Sequence, residues 1–449
     1  MPSDKSSLQT MTHHDDHNDN HNVRSALVPT HDDGSEAKCC KCRFPHINLL
    51  PHGSMAASGF NLASATLGAG TLAIPQAMAY CGSLVGSLLL VLCCAGTIYS
   101  IRLLIIVLEK TGFSTYEEMS HKLVHPIFEK VTAALIIVFC WGITIVYVVA
   151  MGDILDPLRQ ISGFPEALEG TWGRRAIMTI FWALFMLPLS LAKEINTLRY
   201  ASLIGMASTG FLVAAIVTHT SIDAPPMENL TIARFDVNMI MSMSVFIFAY
   251  CCQTNCFEIY AEMTNRSVNK MTLTTAVAMT TCTIIYIIAG IAGAADFGQD
   301  TDGNILKNYK NPTETLYIAV AFVAISITLT MAFPICIFPT RDAILQMLGY
   351  KDAYSTPSHV RLLCAGVLAT TAITVGLFVP GIQILFGVLG GVCGSTLAFI
   401  WPALFILRTG EWTRETAGLG NMIATYALLI LGTIAGILAT ATSLYSNFS

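Results

Sequence analysis

The chain has 449 residues, 54% of them hydrophobic and only 12% charged, with a mean hydropathy of +0.61. No soluble globular protein is built that way, and the apolar residues fall in long blocks, so the composition predicts an all-α, multi-pass integral membrane protein. The net charge of −5 comes with no basic patch interleaved with aromatics, which excludes nucleic acid as a partner and leaves the lipid bilayer as the surroundings.

Residues 1–52 form a polar tail rich in His and Asp (His13, His14, Asp15, Asp16, His17) with no apolar signal-peptide core. The tail is expected to be disordered and cytoplasmic, and Cys39, Cys40 and Cys42 are candidates for palmitoylation. Eleven apolar blocks follow, at 56–80, 83–108, 129–155, 175–192, 196–220, 237–260, 270–295, 315–338, 359–379, 381–407 and 419–444. They predict a ten-span core over 53–410, then an eleventh span with a short C-terminus over 411–449. With the N-terminus inside, Lys and Arg favour the cytoplasmic loops about three to one, and the C-terminus falls outside. Sequons at Asn229 and Asn447 agree with that placement. Eleven of the fourteen cysteines lie in or at the ends of the apolar blocks, so they are read as small packing residues with no structural disulfide.

The first block contains Thr66-Leu67-Gly68-Ala69-Gly70-Thr71, with Pro75 just beyond. Two glycines and a proline weaken the helix at mid-membrane, where broken backbone survives only inside protein or beside water. Close helix packing on a glycine face explains the same residues equally well when the block is taken alone. The sixth block, at 244–263, has Gln253, Thr254 and Asn255 in its middle and Glu258 beyond. A shift of about 185 residues lays spans one to five on spans six to ten, and five spans per half force opposite orientations. Such an inverted repeat brings its two broken helices together around the substrate.

At the first break, the amides near Ala69, Gly70 and Thr71 begin a helix and suit a carboxylate, with Thr66 and Gly68 beside them. At the second, the carbonyls of Phe248, Ala249 and Tyr250 suit an ammonium, and Cys251, Gln253 and Asn255 are placed to read a substrate side chain. The two poles fit the head group of an α-amino acid. Glu258 is the deepest acid, a candidate for proton coupling or for holding the kink, whereas Asp153 is expected at the interface. All histidines are placed in the tail or loops. In span eight, Ser326 and Thr330 share one face and Thr328 points elsewhere; they are candidate cation ligands, although such hydroxyls often bond their own backbone. Pro334 and Pro339 are expected to kink or end that span. The pairs Gly82/Gly86 and Gly387/Gly391 read as packing motifs. There is no HExxH, GxxxxGK[ST] or GxSxG, so neither catalysis, cofactor nor resident metal is expected.

The stretches FNLASATLGAGTLAIPQAMAYCG (60–82), FAYCCQTNCFEIYAEM (248–263) and TLTMAFPICIFPTRD (328–342) resemble the amino acid/auxin permease family. The likeness spans nearly all of the chain after the tail. The tail and the span-six wording are most similar to the branch found in trypanosomatid parasites. The resemblance implies a LeuT-like fold of five plus five spans with an added eleventh, and secondary active transport of amino acids by alternating access. By position, Gly68, Ala69 and Gly70 match the family's substrate-binding break, and Thr328 and Thr330 fall in its span-eight cation motif. Ser64 stands where sodium-coupled relatives have Asn, and Thr254-Asn255 where they have Pro-Glu, while Glu258 resembles plant members. These departures favour a proton over sodium as the coupling cation. The alternatives are a sodium symporter and an amino-acid sensor signalling through its tail; the plasma membrane is preferred to a vacuole or lysosome.

Overall fold

In a computed structural model, residues 53–157, 170–191, 201–222, 230–309, 315–350 and 356–448 are described. The tail with Cys39, Cys40 and Cys42, the Asn229 sequon and the Asn447 side chain lie outside the described set.

Helix α1 (Met55–Thr66) starts where Ser54 accepts a hydrogen bond from the Ala57 amide and stops where Leu67 leaves helical geometry (φ −77°, ψ 76°). After three residues α2 (Gly70–Cys81) resumes the span and carries Pro75. Gly82, at φ +84°, turns the chain into α3 (Ser83–Thr111). A short α4 (Tyr116–Met119) and a π turn lead to α5 (Pro126–Leu155), which opens on proline with His125 as its cap. Next come α6 (Gly170–Phe181), a π turn and α7 (Leu187–Ser190), which together make one span, and α8 (Ala201–Ile222). The sixth span divides into α9 (Val237–Ala249), capped by Asp236, and α10 (Cys256–Glu262). Irregular backbone at Tyr250–Cys252 and a 3-10 turn at Gln253–Asn255 separate the two pieces.

Helix α11 (Val268–Phe297) is followed by two 3-10 turns, Gly298–Asp300 and Ile305–Asn308, and by α12 (Leu316–Met347). Then come α13 (Ser358–Gly376), a tenth span made of α14 (Ile382–Val388), two π stretches and α15 (Trp401–Arg408), and finally α16 (Leu419–Phe448). Among the described residues nine helices are long and apolar enough to cross a membrane. The first span fails that length test because it is cut into two 12-residue pieces. Apart from the two breaks, the described residues of the eleven expected blocks are mostly helical, and the break centres, Gly68 and Cys251, stand 183 positions apart.

The core forms where α2 packs on α9 and α11, α3 lies along α11, and α12 lies along α5 and α8. Two expectations, for Gly82 and His219, are corrected, and two others are made more specific. Helix α12 runs through both Pro334 and Pro339 to Met347, because packed neighbours hold a membrane helix together across the lost amide donors. Gly82 is a turn glycine, while Gly86 packs on Met78, and Gly387 and Gly391 pack on Ser443 and Thr440 of α16. Asp153, in the last turn of α5 as expected, is 1% exposed and takes the Arg174 guanidinium at 2.7 Å and the Asn304 amide at 3.3 Å. His219 is not in a loop but on α8, with its Nδ1 2.7 Å from Asp296 of α11. An ionisable group in a span finds a polar partner, and both of these partners come from distant sequence.

Candidate substrate site at the two helix breaks

Glycine decides where the first span breaks and what lies next to the break. A Cβ on Gly70 would stand 3.0 Å from the Ala249 Cβ and 3.1 Å from its Cα, so α2 begins in backbone contact with the end of α9. A Cβ on Gly68 would meet only the Tyr147 hydroxyl of α5, at 3.7 Å. Gly70 thus sets helix approach, and Gly68 faces open space beside a phenol. Thr71 is 1% exposed and its Oγ1 has no hydrogen-bond partner. Among the described residues no hydrogen bond reaches the amides of Ala69 or Gly70, whereas the Thr71 and Leu72 amides are held at 3.1 Å by Gly68 O and Ala69 O. The start of α2 therefore offers free N–H groups and a free hydroxyl to an anion.

The second break is arranged differently from the expectation for its side chains. Tyr250 is fully buried and its hydroxyl lies 2.5 Å from Thr283 Oγ1 on α11, so it turns away from the first break. Gln253 is also fully buried and donates to Ser100 of α3 at 3.2 Å. The Tyr250 hydroxyl and the Gln253 Nε2 have partners on neighbouring helices, which reading one span by itself does not reveal, while the buried Gln253 Oε1 has none among the described residues. The carbonyls of Phe248 and Tyr250 accept from the amides of Cys251 and Cys252, at 3.1 and 2.9 Å. Ala249 O is approached by the Tyr286 hydroxyl at 3.2 Å. Asn255 and Glu258 are exposed, and Glu258 makes no hydrogen bond among the described residues. On α1, Asn61 and Ala65 are exposed in line with half-buried Gly68. Exposed Asn61 on α1 and exposed Asn255 and Glu258 beside and on α10 are polar groups on the surface of these two interrupted spans.

The opposite end is covered. Thr301 O accepts from Gln76 of α2 at 3.1 Å, Gln299 donates to Ala79 O at 2.8 Å, and Asn304 reaches Asp153. Beside the breaks, Phe248 of α9 tilts onto Phe386 of α14 (ring centres 4.6 Å apart) and Phe139 of α5 (5.9 Å), an apolar wall. Tyr147, Tyr286 and this wall escaped sequence reading, because single aromatic residues in apolar spans carry no spacing signal.

The four cation candidates do not all converge: Ser64 and Thr328 approach one turn of α8, while Ser326 and Thr330 lie elsewhere. Ser326, Thr328 and Thr330 each donate to the carbonyl four residues earlier, at 2.8, 3.0 and 2.7 Å. Ser326 and Thr330 line a lateral apolar cavity of about 410 Å³ with Phe181, Phe185 and Phe322. Ser64 donates to Ser202 O of α8 at 3.1 Å, and the Thr328 methyl lies 3.4 Å from where a Cβ on Gly205 would sit. Ser64 and Thr328 thus flank one turn of α8. Thr66 donates to Leu62 O, as an intrahelical threonine does.

Two interrupted spans meeting in the middle of a helical bundle define a LeuT-like membrane transport fold. The chain superposes on the crystal structure of MhsT in complex with L-phenylalanine with a TM-score of 0.58 at 13% identity, covering 86% of this chain and 98% of that one. More specifically, the chain belongs to the family described as transmembrane amino acid transporter protein, which it matches over residues 51–448. It is 25% identical over 420 residues to amino acid transporter AVT6E of Arabidopsis thaliana, covering 88% of this chain and 86% of that protein. It is 26% identical to putative sodium-coupled neutral amino acid transporter 11 of Danio rerio, covering 91% and 88%. Vacuolar amino acid transporter 6 of Saccharomyces cerevisiae is 27% identical, over 63% of this chain and 64% of that protein.

Proposed function

We propose that the chain is a secondary transporter that moves L-amino acids across a membrane by alternating access, binding the substrate zwitterion between the two helix breaks. The carboxylate sits on the free amides of Ala69 and Gly70 and the Thr71 hydroxyl; the ammonium sits on Ala249 O, and the side chain lies toward Tyr147 and the Phe139–Phe248–Phe386 wall. The observation that carries this reading is the meeting of Gly70 with Ala249, which sets an N-terminal helix pole and a C-terminal helix pole side by side. The proposed domains are a cytoplasmic tail over 1–52, a transport core over 53–410, and an eleventh helix with an outer C-terminus over 411–449.

The driving cation is a proton. In favour of it, Ser326 and Thr330 lie apart from Ser64 and Thr328, and Glu258 is an exposed carboxyl on α10, open to exchange a proton with water. A sodium-coupled reading is favoured by the convergence of Ser64 and Thr328 on one turn of α8 and by the name of the Danio rerio relative. The plasma membrane is the proposed location, with the vacuole as the alternative that the yeast relative's name suggests. Purified full-length protein in liposomes tests the function. Saturable counterflow of labelled amino acids, driven uphill by an inward pH gradient in sodium-free buffer, is expected. Currents without counterflow, or binding without transport, would replace it with a channel or a sensor.

A further inference from the structure

One side chain touches the ends of both interrupted helices. Tyr286 on α11 is fully buried, and its hydroxyl lies 2.7 Å from Thr66 O and 3.2 Å from Ala249 O. Thr66 is the last residue of α1 and Ala249 the last of α9. A phenol has a single proton to donate, so it cannot serve both carbonyls fully. Thr66 O also accepts the Gly68 amide at 2.9 Å, which together with the phenol occupies both of its lone pairs. Ala249 O receives the longer, weaker share and keeps room for a stronger donor. The phenol is held in place: its ring meets Tyr250 edge-on at 5.6 Å, and the Tyr250 hydroxyl is held by Thr283, one turn back on α11.

We infer that Tyr286 is a positioning residue that keeps the two breaks in register and yields Ala249 O to the substrate's ammonium, an inference that rests on the zwitterion site proposed above. With the site empty, the proton is shared between the two carbonyls. When an ammonium docks on Ala249 O, the proton settles on Thr66 O and fixes the turn at Gly68, where the carboxylate binds. Each pole of the substrate thereby tightens the site for the other.

The test is Tyr286→Phe in the full-length chain, measured by amino acid counterflow in liposomes. The ring and its edge contact remain while the proton is lost, so KM is expected to rise about tenfold, the loss of one buried hydrogen bond. Maximal rate per inserted molecule is expected to stay within about twofold. A purely structural role would reduce the amount of inserted protein and leave KM unchanged. Tyr99→Phe is the control, since that hydroxyl bonds Asn421 O and Thr425 of α16 at 2.8 Å; its KM is expected to match the wild type. A wild-type KM in Tyr286→Phe, with the wild type transporting, overturns the inference and leaves the transport reading standing. Absence of saturable transport in the wild type overturns both. Hydrogen exchange on the wild type gives an answer even if the variant does not fold. Substrate should slow exchange at Gly68–Thr71 and Tyr250–Gln253 together, and protection of one break alone contradicts the inference.

Discussion

Replacing Gly70 with alanine adds one methyl group at the crossing of α2 and α9. That methyl would lie 3.0 Å from the Ala249 Cβ and 3.1 Å from its Cα. Carbon atoms rest about 3.5–4.0 Å apart, so the helices must separate by roughly half an ångström or more, and backbone cannot swing aside as a side-chain tip can. Overpacking of this kind costs about 1–3 kcal/mol. If the cost falls on the closed, substrate-holding state, uptake efficiency drops by about five- to 150-fold, at tenfold per 1.4 kcal/mol. Gly68→Ala is the matched comparison. Its methyl would meet only the Tyr147 hydroxyl at an ordinary 3.7 Å, so the fold should accept it without strain and efficiency should stay within about fivefold. The assay is initial-rate uptake normalised to surface protein. Gly70→Ala with wild-type efficiency would refute the view that backbone contact between the breaks sets the site.

Other expectations concern charge. Arg174→Met leaves Asp153 buried without its cation and should cost about 3–5 kcal/mol, read as a fall in Tm; adding Asp153→Leu should restore most of it. Glu258→Gln touches no hydrogen bond among the described residues, so Tm should hold while uptake loses its response to a pH gradient and counterflow persists; retained pH drive would exclude Glu258 as the proton carrier. Burial, with a smaller push from Glu129, raises the Glu117 carboxyl above its ordinary range. The folded chain then binds more protons than the unfolded one as pH rises from that range through the raised value, so stability falls across the window. Glu117→Gln should flatten this fall and raise Tm at neutral pH; a lower Tm there would show that Glu117 has an attractive partner. Ser64→Ala with Thr328→Val should leave sodium-free, pH-driven uptake unchanged, and a loss of sodium-stimulated uptake would instead favour the sodium reading.

The breaks were legible because their causes are local: Gly68, Gly70 and the polar run at Gln253–Asn255 weaken helix wherever they stand. Two interruptions in register added topology to that local signal. What tertiary partners decide was not legible. Gln253 and Asn255 are two residues apart, yet Ser100 draws one into the bundle and the other remains exposed. Asp153 gives no sign along its own span that Arg174, 21 positions later, folds back onto it. His219 has the same history with Asp296, 77 positions away. Pro334 and Pro339 left a kink and an ending open, and the helix continues through both because neighbours hold it where local rules see only the lost amide. That Glu258 would be exposed on α10 was not legible either, because exposure depends on which neighbours the break leaves beside it.

The most direct test is a high-resolution structure of the full-length protein with an amino acid that it transports. Density is expected between the amides of Ala69 and Gly70 and the carbonyl of Ala249, with the Tyr286 hydroxyl drawn onto Thr66 O. Density only in the lateral cavity beside Phe181 and Phe322, or a continuous helix through Leu67–Ala69, would contradict it.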